Sequence, residues 1–285
     1  MAPARTCPMN NLCTTQWLAA HLASVKVVDA SWHMPGDNRD PAGEFEQARI
    51  PGAVFFDIDA IADRATPLPH MLPAPGQFAA QMGALGIAAT DTVVVYDGAG
   101  LFSAPRAWWM LKAMGHDHVM VLDGGLPKWR REGRALESGA RATPAPAAYQ
   151  PSPRFGLLRG FGDVLDIVRT KSAHLVDARG ADRFSGAGAE PRAGVRAGHM
   201  PGAANVPWRT VVADDGTLRP GNELRPLFHQ AGVDLAAPIV TTCGSGISAA
   251  ILMLALEQAG ATSVALYDGS WTEWGSRPEA PVERS

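Results

Sequence analysis

Cys243 stands where an apolar run, Pro238-Ile239-Val240, meets a Gly-rich turn, and residues 241–249 read TTCGSGISA before an apolar stretch from Ala250 to Leu256. A strand, loop, helix order puts the thiol at the start of a helix, where the first N–H groups lack intrahelical acceptors and stabilise negative charge. The thiolate is therefore favoured; cysteines in such surroundings have pKa values brought from about 8.5 into a range of roughly 3.5 to 7.5. Gly244 and Gly246 let the loop curl, and Ser245 adds a hydroxyl beside the sulfur. Two other readings compete. Cysteine is often an inert core residue, although Gly-Ser-Gly would then follow the strand for no packing reason. A phosphatase loop also cradles a thiolate in N–H groups but needs a guanidinium to grip phosphate. The sixth residue after Cys243 is Ala249, and no Arg occurs between Cys243 and Trp274, which disfavours phosphate chemistry.

The elements that must position this thiol occur twice. Val27-Val28-Asp29-Ala30 answers Leu175-Val176-Asp177-Ala178, and Ile50-Pro51-Gly52-Ala53 answers Met200-Pro201-Gly202-Ala203. Val93 to Asp97 answers Ile239 to Cys243, and Leu122-Asp123-Gly124-Gly125 answers Tyr267-Asp268-Gly269-Ser270. Four matches in one order at a nearly constant offset indicate duplicated domains. Residues 1–137 form the N-terminal domain, the Pro-rich stretch Ser138 to Pro153 a linker of extended backbone, and residues 154–285 the C-terminal domain, which carries the nucleophile. Strands are expected over Lys26–Ala30, Thr92–Tyr96, His118–Leu122, His174–Asp177, Ile239–Thr242 and Ser263–Tyr267, alternating with helices such as Ala104–Met114 and Ala249–Ala259. That alternation implies an α/β fold with parallel strands, in which ligands collect at the carboxyl ends of strands. Cys243 is at one such end, and Asp97 holds the corresponding place in the first half.

Composition excludes several partners. The chain has 285 residues, 46% hydrophobic and 19% charged, with a formal net charge of -3 and a pI near 6.2, so it has neither a basic footprint for nucleic acid nor a polybasic membrane patch. Its cysteines, Cys7, Cys13 and Cys243, are too few for a disulfide framework, and Cys7 and Cys13 lack companions at zinc-like spacing. No metal or cofactor is expected. A reducing compartment fits, and the interrupted N-terminus has no apolar signal region, which points to the cytoplasm.

The paired halves, the IPGA and MPGA turns, DGGLPKW (Asp123 to Trp129), YDGSWTEW (Tyr267 to Trp274) and above all CGSGISA (Cys243 to Ala249) resemble the two-domain rhodanese-type sulfurtransferases over nearly the whole chain. Within them, Cys-Gly-Ser-Gly resembles the branch acting on 3-mercaptopyruvate, whereas the thiosulfate branch carries basic residues after the cysteine; Ile247 and Ser248 stand where Val and Thr are more usual. The resemblance implies two tandem domains, each a mostly parallel sheet flanked by helices. It also implies attack of Cys243 on the sulfur of 3-mercaptopyruvate, release of pyruvate, and transfer of the persulfide sulfur to a thiol, such as a thioredoxin-like dithiol, or to cyanide. Gly244, Gly246, Ile247 and Ser248 of the loop are expected to take part in substrate binding. Arg183 (in ADRF) and Arg192 (in EPRAG) match the two substrate-binding arginines, on a Gly- and Pro-rich segment, Arg183 to His199, read as a loop. Asp59 and His70 match an Asp and a His supplied by the first half. With Ser245 they imply a relay in which Asp59 orients His70 and His70 exchanges a proton with Ser245; Asp57 and Asp63 are nearby competitors for the acidic role.

The remaining conspicuous residues read as structural: His199 in its HMPG turn, Trp108, Trp109, Trp271 and Trp274 as packing, and Asp268 as a support of loop geometry. The alternatives to a 3-mercaptopyruvate enzyme are a thiosulfate sulfurtransferase and a non-enzymatic persulfide carrier.

Overall fold

The computed structural model describes residues 11–141 and 143–285, which leaves Cys7 outside the described residues. Two five-stranded sheets carry the chain. The first contains β1 (Leu12–Cys13), β2 (Lys26–Asp29), β3 (Val54–Phe55), β4 (Val93–Tyr96) and β5 (Val119–Leu122) in the order β1-β5-β4-β2-β3. The second contains β6 (Leu158–Arg159), β7 (His174–Asp177), β8 (Ala204–Asn205), β9 (Ile239–Thr242) and β10 (Val264–Tyr267) in the matching order β6-β10-β9-β7-β8. Every pairing is parallel, and helices flank both sheets. Central strands such as Val93-Val94-Val95-Tyr96 are buried at every position, the continuous apolar pattern of a sheet covered on both faces.

The expected strands match to within one residue at their ends. The two-residue edge strands β1, β3, β6 and β8 are additions, too short to leave a periodic signal. Both β3 and β8 follow the repeated Pro-Gly-Ala turn, whose glycines, Gly52 and Gly202, each have φ +74°. The helix expected over Ala104–Met114 ends at Ala113, with Met114 as its cap. That expected to begin at Ala249 begins at Ile247, because Gly246, at φ +84°, already turns the chain into the helix.

Helices Ala104–Ala113 and Ile247–Ala259 pack against each other across the two halves. Ile247 and every residue from Ala249 to Leu256 are buried, so this helix has no polar face: one side covers its own sheet and another meets the first half. A single apolar cluster accordingly runs through both halves, from Val28 and Trp108 to Ile251 and Leu266. The described part of Ser138 to Pro153 has neither helix nor strand and lies along the first half. Ala147 N donates to Gly83 O (3.0 Å), Ser152 N to Met114 O (2.8 Å), and the buried Tyr149 ring stacks on His116. No helix among the described residues is long and apolar enough to cross a membrane.

Asp29 and Asp177 end the equivalent strands β2 and β7 but differ in partner. Arg179 holds Asp177 bidentately (Nη2 to Oδ2, 2.7 Å), whereas Ser31 stands at the matching place beside Asp29. Burial pushes the Asp29 carboxyl up to about 6, against hydrogen bonds from Ser31 and Tyr96 that pull it down. The folded chain therefore keeps this proton to about pH 6 while the unfolded chain releases it near 3.8, so its effect is a stability that falls as pH rises between those values. The loss is on the order of 3 kcal/mol above pH 6. Urea unfolding of wild type and Asp29→Asn from pH 4 to 8 should show the wild type losing ground to the variant across that window; parallel profiles would remove Asp29 as the cause.

Candidate active site

β9 delivers Cys243 at its carboxyl end, and Gly246, in the left-handed conformation, turns the chain into the Ile247–Ala259 helix, so four residues curl around the sulfur. Gly246 N donates to Cys243 Sγ at 3.0 Å. The loop is held from outside by the segment after β10. Ser270 Oγ accepts from Cys243 N (3.3 Å), Trp271 N donates to Cys243 O (2.9 Å), and Gly244 O accepts from both Thr272 N (2.9 Å) and Thr272 Oγ1 (2.6 Å).

The first half shows what such a loop binds. Asp97, at the end of β4, folds its carboxylate back into the turn: Oδ2 accepts from Phe102 N (2.8 Å), Ser103 N (3.0 Å) and Ala104 N (2.8 Å), and Oδ1 from Ala99 N (2.9 Å). There the strand-to-helix turn is filled by an anion of its own. In the second half the shorter side chain of Cys243 takes that position, and the loop faces a cavity.

Cys243 is only 2% exposed: it is recessed because the loop curls over it and both halves wall the opening. It lies on the floor of a cavity of about 210 Å³ that Trp32 and Phe102 line from the first half and Arg183, Arg192 and Trp208 from the second. Gly244, Ser245, Ile247 and Ser248 line the same cavity. Arg183 is on a short helix, Ala181–Ser185, and not in a loop as expected. The Gly- and Pro-rich run begins only after Gly186, whose φ of +85° ends the helix. Its Nη2 donates to Glu190 Oε2 (2.5 Å), and Glu190 also accepts from Arg179 (2.8 Å). Arg192 is half-buried and has no hydrogen bond or ion pair among the described residues. Burial lowers its guanidinium from the ordinary value, the charge of Cys243 opposes this, and the neighbouring Arg183 adds to it. A half-buried cation facing a second cation and a cavity is an invitation to an anion.

From the first half, His70 reaches this interface in the left-handed conformation, φ +60°, and is 5% exposed. Its Nδ1 lies 2.5 Å from Asp59 Oδ1, and Asp59 Oδ2 accepts from Trp32 Nε1 at 2.9 Å. Burial works to raise the Asp59 carboxyl, but the His70 hydrogen bond and charge, the Trp32 bond and the charge of Arg192 outweigh it, and the net shift is downward. His70 Nδ1 is thus engaged by Asp59, while the other ring nitrogen, Nε2, is buried with no hydrogen-bond partner among the described residues. Ser245 and His70 share no hydrogen bond among the described residues. The competing acids are engaged elsewhere: Asp57 caps the Ile58–Ile61 helix through the amides of Asp59 and Ala60, and Asp63 accepts from Ala65 N.

The rhodanese-like domain family matches residues 14–132 and again residues 161–277. The chain belongs to the rhodanese family. A 3-mercaptopyruvate sulfurtransferase of Escherichia coli K12 is 44% identical over 94% of this chain and 95% of its own length. The mitochondrial thiosulfate/3-mercaptopyruvate sulfurtransferase 1 of Arabidopsis thaliana is 42% identical over 95% of this chain and 77% of its own. Among solved structures, SseA from Escherichia coli superposes with a TM-score of 0.83 at 41% identity, covering 92% of this chain and 99% of that one.

In this rhodanese fold His199 Nδ1 donates to Phe184 O (2.8 Å) while its ring stacks on Phe184 and its Nε2 lies 3.8 Å from Glu283 Oε2, and Trp108, Trp109, Trp271 and Trp274 are fully buried. Asp268 supports the site from below: Oδ2 accepts from Leu72 N (2.7 Å) and Oδ1 from Arg106 (2.6 Å). Sequence reading missed Trp32 and Arg106, which have no motif and join the site only through the packing of one half on the other, and Glu190, which stands in the quoted EPRAG run but shows its role only as the shared acceptor of Arg179 and Arg183. Gly246 has no room for a side chain: a Cβ would add a left-handed penalty and lie 2.7 Å from Arg106 Nη1. Gly246→Ala should therefore cost about 1–3 kcal/mol in urea unfolding; a neutral effect would show that the loop is not held as described.

Proposed function

We propose that this chain moves sulfur from 3-mercaptopyruvate through a Cys243 persulfide to a thiol acceptor and releases pyruvate. The observation that carries the reading is the recessed Cys243 sulfur, 3.0 Å from the Gly246 amide, sharing one small cavity with Arg192, whose guanidinium has no hydrogen bond or ion pair among the described residues. On this reading the catalytic domain is residues 154–285, joined by residues 138–153 to an N-terminal domain, residues 1–137, that contributes Asp59 and His70.

Arg183 and Arg192 hold the carboxylate and adjacent carbonyl of the donor, with its thiol toward Cys243. The Cys243 thiolate attacks the donor sulfur; an S–S bond forms as the C–S bond breaks, and the bonding pair leaves on carbon as the enolate of pyruvate. The proton that the donor thiol brought passes to that carbon, which balances the step as thiolate plus mercaptopyruvate giving persulfide anion plus pyruvate. Ser245 and His70 carry this proton, and Asp59 fixes the imidazole. The amides of the 244–248 loop, with Ile247 and Ser248 at the helix start, hold the outer sulfur where the first half holds the Asp97 carboxylate. An acceptor thiolate then attacks the outer sulfur and regenerates Cys243. A thioredoxin-like dithiol is the acceptor class and the cytoplasm the compartment that suit a thiol-dependent cycle.

Thiosulfate is the competing donor, and the name of the Arabidopsis relative includes it. A doubly charged donor calls for cationic side chains in the loop, and residues 244–248 have none. With cyanide as acceptor, kcat/KM should be larger for 3-mercaptopyruvate than for thiosulfate; the reverse order would reject the donor. Failure of the folded protein to release pyruvate from 3-mercaptopyruvate would favour a passive persulfide carrier.

Residue roles separate by kinetics. Cys243→Ser should abolish pyruvate release with the fold intact. Arg183→Ala and Arg192→Ala should mainly raise KM, Arg192→Ala more, since Arg183 already shares its charge with Glu190. Ser245→Ala and His70→Ala should lower kcat by about 10²- to 10⁴-fold, the usual contribution of a placed acid or base; the opposite pattern would exchange the assignments.

A further inference from the structure

The two halves grip each other in the same way at both ends of their interface, but one end carries an extra cation. Leu72 N of the first half donates to Asp268 Oδ2 of the second (2.7 Å), and Leu218 N of the second donates to Asp123 Oδ1 of the first (2.8 Å), the aspartates occupying matching Asp-Gly turns. At the Asp268 end Arg106 joins in; counted from Asp97 and Cys243, the residue that repeats Arg106 is Leu252, fully buried, so the other end closes without a guanidinium. Docking of the halves thus does not itself call for Arg106.

Arg106 is completely buried, which is unfavourable unless its donors are well matched. Its Nη2 donates to Asp268 Oδ1 (2.6 Å) and to the carbonyl oxygen of His70, Nη1 reaches Gly246 O at 3.5 Å, its Cζ lies 4.4 Å from the centre of the Trp109 ring, and Nε has no hydrogen-bond partner among the described residues. One guanidinium therefore touches the carbonyl of His70 and the residue that closes the Cys243 loop. His70 holds φ +60°, a conformation unfavourable for a non-glycine residue, and its Nε2 is buried with no hydrogen-bond partner among the described residues.

We propose that Arg106 is a positioning residue for the donor step: by tethering the His70 carbonyl to Asp268 and to the Gly246 end of the loop, it holds the imidazole of one half in register with Cys243 and Ser245 of the other. The inference rests on the proposed sulfur transfer from 3-mercaptopyruvate. Discharge of a formed persulfide to an acceptor places no proton on carbon, so it does not need that register.

The test separates the two half-reactions. Arg106→Lys keeps a charge beside Asp268 but loses the fork, and Asp268→Asn loosens the same guanidinium from the other side of the interface while keeping an acceptor for Leu72 N. Single-turnover pyruvate release from 3-mercaptopyruvate is measured for both, together with discharge to cyanide of a Cys243 persulfide preloaded with inorganic polysulfide. Arg106→Lys should slow pyruvate release by about 100-fold, Asp268→Asn by about 10-fold, with KM changed less than about threefold and discharge kept within about threefold. In a His70→Ala background, Arg106→Lys should add less than about twofold, because the tether has nothing left to position. Equal losses in both half-reactions, or a full additional loss in the His70→Ala background, would reduce Arg106 to a structural residue, and an unchanged donor step would overturn the proposal outright. If Arg106→Lys does not fold, Asp268→Asn and the same double-variant comparison decide the matter. Absence of pyruvate release by the wild type is a separate result and bears on the donor assignment alone.

Discussion

Backbone N–H groups left over at the junction of a strand and a helix must find an acceptor, and the two halves of this chain meet that demand differently. In the first, the Asp97 carboxylate takes four amides and ends the matter. In the second, the residue at the same place is Cys243, whose sulfur takes the Gly246 amide, and the loop opens on a cavity. The same geometry that stabilises a carboxylate is suited to a sulfur anion one atom further out. Duplication thus left one loop permanently filled and the other able to be filled and emptied.

An emptied loop needs walls, and the second half alone does not supply them. The Ile247–Ala259 helix has no polar face, so its outer side must be covered, and the Ala104–Ala113 helix covers it. That contact also brings Trp32 and Phe102 into the wall of the Cys243 cavity, with Asp59 bonded to Trp32 and His70 to Asp59 behind them. The hydrophobic demand of one helix therefore assembles polar groups from two domains around a single sulfur, and polar anchors at Asp123 and Asp268 set the register of the contact.

Charge in the site is arranged unevenly. Asp177, Arg179, Glu190 and Arg183 form a chain of alternating sign that satisfies itself, with Glu190 shared between two arginines. Arg192 stands outside that chain, half-buried and facing Arg183. Its charge is opposed only through space, by Cys243, Glu190 and Asp59, so its donors are available to a bound anion.

Local sequence determined the repeated α/β architecture, the strand cores, and the position of Cys243 at a strand's end, because the apolar runs, the Gly-x-Gly turns and the paired Pro-Gly-Ala turns act over a few neighbouring residues. It also placed Asp59, His70, Arg183 and Arg192 on the short list, by motif. Tertiary structure alone decided that Asp59 and not Asp57 or Asp63 faces His70, that Arg183 is paired while Arg192 is not, that the sulfur is recessed, and that Arg106 reaches His70, Gly246 and Asp268 at once. The recessed sulfur and the reach of Arg106 depend on how the two halves meet, through contacts between residues more than a hundred positions apart such as Arg106 and Asp268, and the Asp59–His70 and Arg183–Glu190 pairs join irregular segments, so none of them leaves a period along the chain from which it could be read.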